Sequence, residues 1–157
     1  MTWLAVTVGA LGTGVGSALL PLLNAEVYAV GAAGRTGPAV AVAVVVSLAL
    51  GQTAGKLLLF EAARRGNSRL GRWFGARAGR DGRGGRWSAR ITEALGSRRT
   101  GHPLVLASAA LGLPPLAAVS LAAGASGQRR WEFGLLCLVG RTARFAALAL
   151  PAAWALS

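Results

Sequence analysis

Three features of this sequence predict an all-α polytopic membrane protein, an inverted repeat in which each half is a re-entrant helical hairpin followed by a transmembrane helix. The 157-residue chain is 54% hydrophobic with a mean hydropathy of +0.52, too apolar for an ordinary soluble domain. Prolines break its apolar blocks into arms too short to cross a bilayer. The two halves also match each other at nearly constant offsets. The length suits a single membrane domain over 1–157.

The first apolar block, 3–34, is interrupted by Pro21, with Asn24 and Glu26 just beyond. The arm after Pro21 reaches only about 18 Å as a helix, short of a hydrocarbon core about 30 Å thick. Two arms that meet at a break and return to one face fit this, a re-entrant hairpin. The alternative is a full span from Trp3 to Leu20 followed by an interfacial piece. Gly34-Arg35-Thr36-Gly37-Pro38 reads as a turn, with Pro38 suited to the next helical start. A transmembrane helix follows over 38–60. Gly51 and Gly55 give it a close-packing face. Gly51 to Lys56 is not a nucleotide loop, which needs four residues between its glycines, then Lys and Ser or Thr. Lys56 is expected to snorkel to the interface.

Residues 61–101 carry eleven arginines against Glu61, Asp81 and Glu93, a net of +8 within a chain total of +12. The positive-inside rule makes this a basic cytoplasmic loop. Arg35 and Ser157 then lie outside. Leu70, Trp73 and Phe74 share one helical face, as do Trp87, Ile91 and Leu95, so two amphipathic helices are expected. Ala78 to Gly85 is rich in glycine and arginine. Anionic membrane lipids are the expected partner of this charge; nucleic acid is the weaker reading. His102 has no second ligand nearby in sequence, so no metal site and no cofactor are expected.

The second block, 103–127, is broken by Pro114-Pro115. Its arms, Leu104–Leu113 and Leu116–Ala125, are each about 15 Å long as helices, which predicts a second re-entrant hairpin. A final transmembrane helix covers 131–156. Pro21, Gly31 and Gly34 match Pro114, Gly124 and Gly127 at an offset of 93 residues, and Gly51-Gln52-Thr53-Ala54 matches Gly140-Arg141-Thr142-Ala143 at 89. One span runs outward to inward and the other the reverse, so the repeat is inverted. Broken segments at corresponding places in inverted halves point to a transporter site at the midplane. Cys137 is alone in an apolar run and reads as a small buried hydrophobe. The N-terminus lacks a basic n-region and a cleavage site, so the apolar segments are expected to stay.

Arg141 and Arg144 stand near the middle of the final span, on one helix face. Each costs roughly 2.5–3.5 kcal/mol at that depth by insertion scales. They are expected to face a wet cavity or a partner. Glu26 is the acid that follows the first break. Its competing role is a permanent salt bridge to Arg141 or Arg144. Gln52 and Thr53, repeat counterparts of Arg141 and Thr142, are candidates for an opposite wall. Asn24 and Ser120 are candidates for capping the broken helix ends.

Leu19-Leu20-Pro21, Asn24-x-Glu26-Val27 and Gly31 resemble the first hairpin of DedA-family membrane proteins, especially the short YqaA-like branch. Pro114-Pro115, Ala123-Gly124 and Gly140-Arg141-x-x-Arg144-Phe145 resemble that family's second half. The resemblance covers Ser17 to Leu156, with the basic loop matched only weakly. It implies a VTT fold, of the SNARE-associated type, in a bacterial plasma (inner) membrane. It also implies lipid transport between leaflets, including polyprenyl phosphate, with dependence on proton-motive force. By that similarity Glu26 matches the family's membrane acid, and Arg141 and Arg144 its basic residues. The second hairpin departs from the pattern, with Leu116, Ala117 and Ala118 where relatives often carry a charge.

The chemistry agrees with that expectation. A lipid phosphate leaving water needs a forked cationic donor, which arginine supplies. Arg141, Arg144, Gln52, Thr53 and Thr142 are therefore the candidate substrate-binding residues. Glu26 is the candidate for proton coupling: protonated it would leave the arginines to phosphate, and ionised it would compete. Two other classes stand beside the lipid transporter or scramblase. One is a membrane assembly or scaffold protein that transports nothing. The other, an enzyme acting on lipid phosphates, is disfavoured because neither an acidic metal cluster nor a His/Ser/Asp set is present. A homo-oligomer is compatible with the sequence.

Overall fold

The computed structural model describes residues 3–19, 25–66 and 84–155. The described residues are helical, with no strand among them: α1 (Trp3–Leu19), α2 (Ala25–Arg64), α3 (Gly84–Leu95), α4 (Arg98–Leu111), α5 (Leu116–Ala125) and α6 (Arg130–Ala155). Ala39–Arg64 of α2 and Arg130–Pro151 of α6 are long and apolar enough to cross a membrane. They overlie the two spans read from the sequence. The break at Pro21, the cap at Asn24, the face of Leu70, Trp73 and Phe74, and Ser157 lie outside the described residues. Two compact units form, Met1–Gly55 with Leu138–Ser157, and Lys56–Cys137.

In the first unit α1 lies directly on α2. A Cβ on Gly14 would come within 2.7 Å of the Leu48 carbonyl oxygen. A Cβ on Gly51 would collide with the Leu11 carbonyl, and one on Gly55 with the Ala18 side chain. The close-packing face expected at Gly51 and Gly55 therefore meets α1. Farther back along α2, the Tyr28 hydroxyl donates to the Val6 carbonyl at 3.0 Å and lies 2.8 Å from where a Gly9 Cβ would stand. Gly9 and Leu11 are only about 3 Å apart along α1, whereas a straight α2 would hold Tyr28 and Gly51 about 35 Å apart. Hence α2 bends sharply and sends both its arms back to α1.

That bend corrects the turn expected over Gly34-Arg35-Thr36-Gly37-Pro38: the backbone there stays helical. Pro38 has no N–H to give the Gly34 carbonyl, which is the usual cause of a kink inside a helix. Both arms pack their apolar faces, so each keeps its helix up to the bend. Ala25, Ala29, Ala41, Val44, Leu48 and Phe145 are buried in the core of this unit.

In the second unit α3 packs on α4 and α5, and α4 packs on α5. Ile91 and Leu95 turn the expected apolar face of α3 into a core with Phe60, Val105, Val119 and Phe133. The rings of Phe60 and Phe133 stack at 4.9 Å. α4 and α5 are separated at Gly112–Pro115, as the proline pair predicts. Gly112, at φ 81°, caps α4 in the left-handed region that glycine tolerates. Ser108 Oγ reaches across the break to the Pro114 carbonyl at 2.5 Å. Ser120 does not cap: its hydroxyl bonds back to the Leu116 carbonyl at 2.6 Å inside α5. Lys56 does not snorkel either. It is only 6% exposed, because α2 continues eight residues past it to Arg64.

Large apolar side chains stay exposed in helical register: Val42, Val46 and Leu50 on α2, and Trp131, Leu135 and Val139 on α6. Such stripes mark surfaces that meet something other than water.

Candidate functional site

Glu26 sits in the first turn of α2, where the helix dipole favours a carboxylate. Its Oε1 accepts a hydrogen bond from Arg144 Nε at 2.7 Å and forms an ion pair with Arg144 Nη2 at 2.5 Å. The guanidinium edge thus closes on one oxygen, a charge-assisted contact of the stronger kind. The Arg144 side chain is 23% exposed and that of Glu26 38% exposed. The pair joins positions 118 residues apart and lies within the first unit.

Arg144 belongs to the middle of α6. Exposed tryptophans, Trp131 and Trp154, stand near the two ends of that helix, an aromatic spacing typical of spanning helices. The midpoint between them falls between Thr142 and Ala143, so Arg141 and Arg144 flank it, about 4.5 Å apart along the axis. Arg141 and Thr142 are both half-buried. Phe145, next to Arg144, is fully buried and fixes which face of α6 turns inward. The sequence offers Glu26 a salt bridge to Arg141 or Arg144 as its competing role, and the pair with Arg144 is formed.

Gln52 and Thr53 are buried, at 6% and 8% exposure. Gln52 Nε2 donates to Ser17 Oγ at 2.7 Å, and that hydroxyl in turn bonds the Gly14 carbonyl at 3.0 Å. The opposite wall expected for Gln52 is thus directed at α1. Gln52 Oε1 and Thr53 Oγ1 are buried with no hydrogen-bond partner, which is costly for polar atoms. Ser17 was not singled out from the sequence; its place one turn after Gly14, in the small-residue face of α1, was the available signal.

A second polar cluster, in the other unit, also escaped the sequence. Glu132, 8% exposed, receives Arg98 Nη2 on Oε1 at 3.2 Å. Its Oε2 meets His102 Nε2 at 3.2 Å. His102 is thus not isolated; its carboxylate partner lies 30 residues away in sequence.

Comparison of the chain with family models, with characterised proteins and with solved structures finds no match.

Proposed function

We propose that this chain is a multi-pass protein of a bacterial plasma membrane, of the DedA kind with a VTT-like inverted repeat, that moves phosphate-bearing lipid between leaflets. The observation that carries this reading is the Glu26–Arg144 ion pair with Arg141 one turn away, midway between Trp131 and Trp154. Ionisable groups at that depth are expensive and mark pathways. Two arginines and one carboxylate give this stretch a net positive charge, which suits the phosphate of polyprenyl phosphate or a phospholipid. Protonation of Glu26 would release Arg144 to the substrate, which is how proton uptake would couple to transport. The reading needs no catalytic step, cofactor or nucleic acid. The arginine-rich stretch would hold the protein to anionic lipid.

One observation favours a second reading. Glu26 and Arg144 are already paired, so the charges could serve folding alone, in an assembly or scaffold protein. Leaflet-exchange assays on purified protein in liposomes separate the two. Transport of polyprenyl phosphate or phospholipid that is lost in the Arg141→Ala, Arg144→Ala double variant supports a transporter. Full exchange by that variant, or none by the parent with any lipid, leaves the scaffold.

A further inference from the structure

We propose, resting on the membrane reading above, that the Glu26–Arg144 site opens sideways into the hydrocarbon. It then takes an anionic lipid from within the bilayer, with the chains left outside the protein, and does not take a phosphate dissolved in water.

Both members of the pair stand at the boundary between core and surface. On α2, Glu26 is flanked on one side by Ala25 and Ala29, which are buried, and on the other by Val27 and Val30, which are 67% and 40% exposed. On α6, Arg144 is flanked by fully buried Phe145 and Ala149 on one side, and by exposed Ala143, Ala147 and Leu148 on the other. Val30 and Leu148 each lie one turn from a member of the pair, on the same helix face. Gly31, next to Val30, has open space where a Cβ would stand. The ion pair itself is partly exposed on both its members. It is therefore reached from the side, across apolar side chains, and not through the core.

This setting selects the ligand by chemistry. Arg144 lies about 15 Å along the helix from Trp154 and about 20 Å from Trp131. A dissolved anion would have to leave water entirely to reach that depth, which is expensive for a charge. A lipid already has its chains in the hydrocarbon and moves only its headgroup. The chains can rest on Val27, Val30 and Leu148, since exposed apolar patches of this kind mark contact surfaces. The phosphate meets the Arg144 guanidinium, whose fork suits phosphate oxygens, in exchange for the Glu26 carboxylate. Cationic at the pair and apolar around it, the surface complements an anionic amphiphile.

The test uses full-length protein in phosphatidylcholine nanodiscs that hold a trace of phosphatidic acid with a photoactivatable diazirine in one chain. Mass spectrometry locates the cross-links. Labelling at Val27, Val30 and Leu148 should fall when unlabelled phosphatidic acid is added. It should not respond to glycerol phosphate, which has the headgroup without the chains. Arg144→Gln should raise the amount of phosphatidic acid needed to compete about tenfold, as expected for loss of one hydrogen bond to a charged group. Val30→Trp leaves the ion pair in place and obstructs the side opening, so it should also reduce labelling at Val27 and Leu148; it serves if Arg144→Gln does not fold. Val42 and Val46, exposed on α2 beyond its bend, report ordinary contact with lipid and should not respond to competitor or variant. Labelling of Val27 that is equal to that of Val42, and unmoved by competitor and variants, would overturn the proposal, as would full competition by glycerol phosphate. Leaflet exchange on the same protein keeps the transport reading separate. Specific labelling without exchange upholds the lipid site and removes transport, and exchange without specific labelling does the reverse.

Discussion

Gly14 of α1 and Gly51 of α2 meet backbone to backbone: a Cβ built on either would lie 3.1 Å from the Cα of the other. Backbones approach this closely only where side chains are missing from both helices. Gly51→Leu is expected to lower the melting temperature in detergent, by an overpacking cost of about 1–3 kcal/mol. Gly12→Ala is the control. Nothing lies within 4 Å of its would-be Cβ, so helix propensity should raise stability by up to about 1 kcal/mol. An unchanged melting temperature for Gly51→Leu would mean that α1 and α2 do not meet there.

The ion pair between Glu26 and Arg144 predicts a specific pattern of stabilities. Glu26→Gln and Arg144→Gln should each destabilise the protein, and the double variant should lose less than the sum. The coupling energy from the double-mutant cycle is expected between about 0.5 and 3 kcal/mol. Strict additivity would show that the two side chains do not interact.

Arg141→Lys tests the forked donor. Lysine keeps the charge but has no planar pair of N–H groups to hold two phosphate oxygens at once. Leaflet exchange should slow in this variant while its melting temperature stays close to that of the parent. Equal exchange rates would show that charge alone is enough.

Membrane orientation can be read by labelling single cysteines after replacement of buried Cys137. Arg35 and Arg90 are both exposed. A cysteine at position 35 should react from outside intact cells, and one at position 90 only after the membrane is opened. Reaction of both from the same side would contradict the positive-inside reading of the basic stretch.

Much of this arrangement was legible because apolar sequence makes exceptions conspicuous. Pro114-Pro115 marked the break between α4 and α5, and Gly51 and Gly55 marked a helix contact. The cost of a lone charge marked Glu26, Arg141 and Arg144 as residues needing partners, but which arginine meets Glu26 was left to the fold. What escaped detection depended on distant residues. The signature of Gly34 to Pro38 is that of a turn, but packing of both arms kept the backbone helical. Lys56 looked terminal because hydrophobicity fades before the helix does. His102 looked solitary because its carboxylate partner, Glu132, begins another helix. Ser108, which serves the carbonyl of Pro114 across the break, resembles any serine in an apolar helix until the fold places it.

The bend in α2 makes a lever of its first arm. Glu26 lies twelve residues before Pro38, about 18 Å from the fulcrum. A swing of about 10° there would carry the carboxylate about 3 Å along an arc, enough to release a contact of 2.5 Å. The Tyr28 hydroxyl, bonded to the Val6 carbonyl, would act as the latch of that arm. Spin labels at exposed Val27 and Ala143 should therefore give one narrow distance distribution in the parent and a broader one in Tyr28→Phe. Angular play at that bend would in this way be converted into the making and breaking of a charge pair.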